Sequence, residues 1–184
     1  MQSMGLWVLI IGVCITSPAW AGEITTTRTG NNGKTSTSNT TVTRDGNTVT
    51  RSTTTTYGDG TTSSSTGVRT YNQDGTFSGQ VTHTNRKGEV NTGTVSGTRT
   101  RDGNTVTKTG TMTGTDGKQV NFNNQRSCSA HQCQGSRTHT NAQGRQRSVT
   151  VTGNRNGNTV SGNVSVTRRN GTTGGGTFTR TRNP

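Results

Sequence analysis

Few residues in this chain have the type and spacing to do chemistry. Of three cysteines, Cys128 and Cys133 lie close together in the stretch CSAHQC. Their spacing is C-x4-C rather than the C-x2-C of common zinc sites, and His131 and His139 do not complete a spaced four-ligand set. In an exported chain such a pair reads as a disulfide. It would close a short loop and contribute roughly 2 kcal/mol. His83, His131 and His139 are the only histidines, and none has an evident carboxylate partner. General acid–base chemistry needs such partners in a pocket, and no serine sits in a nucleophile-elbow pattern. The sequence therefore reads as non-enzymatic, without catalytic residues, metal or cofactor.

The acids are occupied elsewhere. Asp45, Asp59, Asp74, Asp102 and Asp116 each precede a glycine, which places them in turns, and Glu23 and Glu89 stand alone. One aspartate per turn cannot supply the six to eight oxygens that calcium takes. The bases are different. Lys and Arg number 20 against 7 acids, a net charge of +13, and no acid occurs after Asp116. The segment 117–184 should hold a strong positive potential of the kind that attracts polyanions. Arginine grips phosphate, sulfate and carboxylate in forked geometry, so Arg137, Arg145, Arg147, Arg155, Arg168, Arg169, Arg180 and Arg182 are the candidate polyanion-binding residues. Lipopolysaccharide, acidic polysaccharide and extracellular DNA, bound without sequence preference, are the expected partners. Two Tyr and three Phe offer little stacking surface for reading bases.

These side chains need elements to position them, and a repeat supplies those. The stretch TVTRDGNTVTR, residues 41–51, sets two alternating Thr/Val runs around Asp-Gly. Turn dipeptides recur every 14 residues or so, from Asn32-Gly33 to Asn170-Gly171, a spacing that suits one strand per period. The single long gap holds Cys128 and Cys133, so the cystine is expected to staple a hairpin where a glycine turn would otherwise stand. Asn-Gly and Asp-Gly favour hairpins because both turn residues accept positive φ. The motif R-[DN]-G-N-T-V recurs at 44–49, 101–106 and 155–160. Those copies lie close to four periods apart and should share one end of the sheet.

The sequence thus predicts an all-β protein: an antiparallel up-and-down meander of about 10–11 strands, as an extended sheet, a sandwich or a barrel. A β-solenoid is the alternative, because fixed-period repeats also stack as coils. Alternation sorts the side chains into a Ser/Thr face and a face of valines with arginines toward the strand ends. Val42, Val49, Val68, Val81, Val95, Val106, Met112, Val120, Phe122, Val149, Val151, Val164, Val166 and Phe178 form the expected core. It is thin: the chain is 21% hydrophobic, where globular domains are roughly 45–50% apolar.

Residues 1–21 read as a cleaved signal peptide, with an apolar run over Leu6–Ile15 and Ala19-Trp20-Ala21 at the cleavage site. Residues 22–184 then form a single Thr/Gly/Asn-rich repeat domain, with 117–184 its basic half, exported to the periplasm or the cell surface. Two functional expectations follow. The first is a structural or matrix protein that self-associates through exposed sheet edges. The second is a cationic module for anionic polymers.

Overall fold

The computed structural model describes residues 21–183; the expected signal peptide lies almost wholly outside them. The described residues form twelve strands: β1 (Gly22–Gly30), β2 (Thr35–Asp45), β3 (Thr48–Tyr57), β4 (Thr62–Tyr71), β5 (Thr76–Thr84), β6 (Val90–Asp102), β7 (Thr105–Gly114), β8 (Gln119–Cys128), β9 (Gln132–Asn141), β10 (Gln146–Asn156), β11 (Thr159–Thr167) and β12 (Thr173–Asn183). Each strand pairs antiparallel with its neighbours in sequence, and β12 pairs with β1, so the meander closes into a barrel. Of the arrangements expected, the barrel is the one adopted, and no coil is needed. The strand count exceeds the expected ten or eleven. Every glycine turn plus the cystine hairpin reverses the chain, and a meander has one strand more than it has reversals.

Turn chemistry explains the reversals and corrects the sequence reading. At the R-[DN]-G-N copies the two-residue loops are Gly46-Asn47, Gly103-Asn104 and Gly157-Asn158, because Asp45 pairs with Thr48, Asp102 with Thr105 and Asn156 with Thr159. Only the glycines have positive φ, 53–55°. Glycine first, followed by a residue with ordinary φ, is the II′ pattern, whose twist matches the strands. The other glycine turns are three-residue loops. Gly60 N–H donates to Tyr57 C=O at 2.9 Å and Tyr57 N–H donates to Thr61 C=O at 2.9 Å, with Gly60 at φ +78°. This is a tight turn followed by a left-handed bulge residue. Asp59 accepts from Thr61 N–H at 3.1 Å, and Asp74 and Asp116 repeat the bond on Thr76 and Lys118. Asp59, Asp74 and Asp116 are turn residues, as expected, whereas Asp45 and Asp102 are the last residues of their strands.

Alternation holds throughout, and closure decides what it means. The Ser/Thr face points outward: along β1, Glu23 and Thr27 are exposed while Ile24 and Thr26 are buried. The valine and arginine face points inward. Ile24, Phe77, Val95, Val106, Phe122, Val149, Val160 and Phe178 are buried there. Ile24, Phe77 and Val160 are additions to the expected core, and Val68 is a correction. It lies on the outer face, 40% exposed, since β4 turns Ser63, Gly67 and Arg69 inward on alternate positions and leaves Val68 out. Phe77, Val95 and Phe122 form a buried apolar cluster with Tyr71, Val81 and Met112 packed against it, the Tyr71–Phe77 and Phe77–Phe122 ring centroids lying 5.5 and 6.3 Å apart.

Hydroxyls take the place of missing apolar side chains elsewhere inside. Ser38 and Thr55 share a buried hydrogen bond of 2.9 Å, and Thr40 and Thr53 share another of 2.9 Å. A buried hydroxyl is costly unless bonded, and these pairs bond each other across β2 and β3. No helix among the described residues is long and apolar enough to cross a membrane.

Candidate anion-binding cavity

Closure turns one sheet face into the lining of a chamber. No inward strand position among the described residues carries a carboxylate, while Arg28, Arg51, Arg69, Lys108, Arg126, Arg137, Arg147 and Arg180 all occupy inward positions. A cavity of about 1230 Å³ runs through this interior and is lined by Arg28, Arg126, Arg147, Arg180, His83 and His139 among others. It reaches the rim formed by the turns at Asn85–Glu89, Thr115–Lys118 and Arg168–Asn170. No turn at the opposite end lines it. That opposite end holds the three R-[DN]-G-N turns together, as their spacing predicted, and the β8–β9 hairpin.

The cations crowd one another. Burial, then the neighbouring Arg69 and Arg28, pushes Arg51 down to about 10. Burial, then Arg69 and Arg147, pushes Arg137 down to about 9. Burial, then Arg51, Arg28 and Arg126, pushes Arg180 down to about 9. All three guanidiniums stay charged at neutral pH, held together against mutual repulsion. Partial relief comes from neutral groups. Arg180 Nε donates to Thr26 Oγ1 at 3.2 Å, and the guanidinium of Arg69 and the ammonium of Lys108 lie over the Phe77 ring at 5.8 and 5.9 Å, a favourable cation–π arrangement. Arg137 Nε donates to His139 Nε2, which requires a neutral imidazole. Burial, then Arg137, Arg147 and Arg169, holds His139 at about 3. Arg51 Nε and Nη2 and Arg69 Nε are buried without a hydrogen-bond partner.

The candidate residues named from the sequence separate into three groups. Arg137, Arg147, Arg180 and Arg182 point inward from β9, β10 and β12. Arg145, Arg168 and Arg169 sit at the open rim, Arg169 half-buried against the cavity. Arg155 does neither. Its Nε donates to Gly157 C=O at 3.2 Å, as Arg44 does to Gly46 and Arg101 to Gly103, so the arginine of the repeat motif braces its own turn. Sequence reasoning missed Arg28, Arg51, Arg69, Lys108 and Arg126. It grouped cations by segment, whereas the structure groups them by face; the signal was parity, since Val49 with Arg51 and Val106 with Lys108 alternate in phase.

Cys128 and Cys133 stand directly opposite each other across β8 and β9, Cα atoms 4.2 Å apart and at disulfide distance. They staple the hairpin beside its turn, and Arg126 Nη2 donates to Cys128 Sγ at 3.0 Å. Among the described residues no group of three His, Cys, Asp or Glu side chains gathers to hold a metal ion. No family model, curated protein or solved structure matches the chain.

Proposed function

We propose that the protein is a binding barrel for anionic ligands, taken into the lumen through one rim. The observation that carries this reading is the enclosed set of guanidiniums with no carboxylate among the inward strand positions. Like charges gathered in a partly buried space repel one another. A bound anion would offset that repulsion, in the forked geometry arginine favours. The cavity's volume suits a small ligand or the end of a chain, and the flank of a polymer would meet the rim alone, where Lys87 and Lys118 join Arg145, Arg168 and Arg169. Self-association through sheet edges is less well supported, because a closed barrel presents no unpaired strand. We further propose that the barrel acts outside the cytoplasm; the cleavage expected after Ala21 would free Gly22, the first residue of β1.

The test is thermal unfolding in sulfate or phosphate against chloride at matched ionic strength. A ligand at a hundredfold excess over its Kd stabilises by about 2.7 kcal/mol, which for a chain of this size raises Tm by roughly 5–10 °C. The rise should shrink in Arg126→Gln and in Arg28→Gln. Equal Tm in all three salts would contradict the reading.

A further inference from the structure

The cavity is not uniformly polar, and its second surface narrows the class of anion, on the basis that the lumen binds anions at all. Val149 and Val151 of β10 face Val166 and Val164 of β11 as two directly opposed pairs. On the far side of β11, Gly174 and Gly176 lie opposite Val166 and Val164, so β12 adds no side chain to cover them. All four valines line the cavity. The cations lie beside this block. Arg126 is separated from Val151 in register only by Gly135, which has no side chain, and Arg180 is the register partner of Val160. Arg126 and Arg180 stand in the halves of β8 and β12 away from the open rim, whereas Val149 and Val166 stand near it.

A bare anion would meet the guanidiniums and leave the half-buried Val151, Val164 and Val166 wet. An uncharged lipid would cover the valines and leave the repulsion among the neighbouring cations undiminished. We propose that the cavity binds a single-chain anionic amphiphile, its phosphate or carboxylate head on Arg126 and Arg180 and its alkyl chain lying along Val151, Val164, Val149 and Val166 toward the open rim. Apolar area removed from water drives the chain into place, and charge-assisted bonds fix the head.

Calorimetric titration of the purified protein tests this with four probes below their micelle concentrations: octyl phosphate, octanoate, methyl phosphate and octyl glucoside. Transfer favours each fully buried methylene by about fourfold; a partly enclosed octyl chain should therefore bind at least about 100-fold tighter than methyl on the same phosphate. The phosphate and carboxylate arms tell which head the site prefers. Octyl glucoside should bind at least about tenfold more weakly than octyl phosphate, since a head on two guanidiniums contributes more than one charge-assisted bond. In Val151→Thr/Val164→Thr, which keeps β-branched residues in both strands, the chain-length preference should fall about tenfold while methyl phosphate affinity holds. Equal affinity for methyl and octyl phosphate would overturn this inference and leave the anion-binding reading standing. Octyl glucoside binding as tightly as octyl phosphate would overturn it too. Failure of all three anions to bind would remove both readings. The comparison in the unaltered protein decides the matter even where the double variant does not fold.

Discussion

Arg155 and Arg126 differ by position in the repeat and so by task. Arg155 closes its turn onto Gly157 C=O and faces solvent. Arg155→Ala should lower stability by roughly 0.5–1.5 kcal/mol, the net value of one hydrogen bond, in urea unfolding, and should leave any anion-induced rise in Tm intact. A lost rise would mean that the end opposite the cavity also binds. His139 offers a second test at this scale. Its imidazole is held neutral, at about 3, by burial and by Arg137, Arg147 and Arg169, against about 6.5 in an unfolded chain. The folded state thus binds fewer protons than the unfolded one between those values. The stability linked to His139 is fully present above pH 6.5 and is lost as pH falls toward 3. In His139→Asn the decline over that window should be shallower by up to about 1.4 kcal/mol per pH unit, read from urea unfolding at a series of pH values. An unchanged slope would show that His139 is not buried among cations.

Strand-level packing depends on inward glycines more than on large side chains. Gly97 and Gly110 are register partners on β6 and β7. A Cβ on Gly97 would fall 2.0 Å from Thr109 C=O, and one on Gly110 would fall 2.0 Å from Ser96 C=O. The two strands approach too closely there for any side chain. Phe77 and Phe122 lie opposite these glycines in register and fill the space above them. Gly97→Val should therefore cost about 2–4 kcal/mol, although valine favours strands. Thr150→Val on the outer face should change stability by no more than about 0.5 kcal/mol. Denaturant titrations of both variants check this; equal costs would mean that inner and outer faces are wrongly assigned. Much at this scale was legible beforehand. Turn dipeptides gave the reversals, the cysteine gap gave the β8–β9 hairpin, and parity separated hydroxyls from valines. Which of Asp45, Gly46 and Asn47 form the loop was not legible, because one residue's shift in register keeps the same composition at the turn.

Closure belongs to the whole molecule, and no local pattern encodes it. An open meander and a barrel share every hairpin; they differ only in whether β12 meets β1, a pairing between the two ends of the chain. For that reason the sequence left sheet, sandwich and barrel as equals, and gave no ground for gathering Arg28, Arg51 and Lys108 into one site. A row of register partners begun at Ile24 near one end of β1 passes Thr40, Thr53, Ser65 and His83 to reach Asn91 at the other end by β6. Such stagger accompanies the strand tilt that closure requires. Closure also converts a charged sheet face into an enclosed cationic chamber, and every proposal about ligands depends on it. Nuclear Overhauser contacts between Thr25–Gly30 and Gly176–Thr181, in the protein free of ligand, test it most directly. Cross-seam contacts as strong as those between β6 and β7 are expected; their absence, with the hairpin contacts intact, would contradict the barrel and leave its arginines facing water.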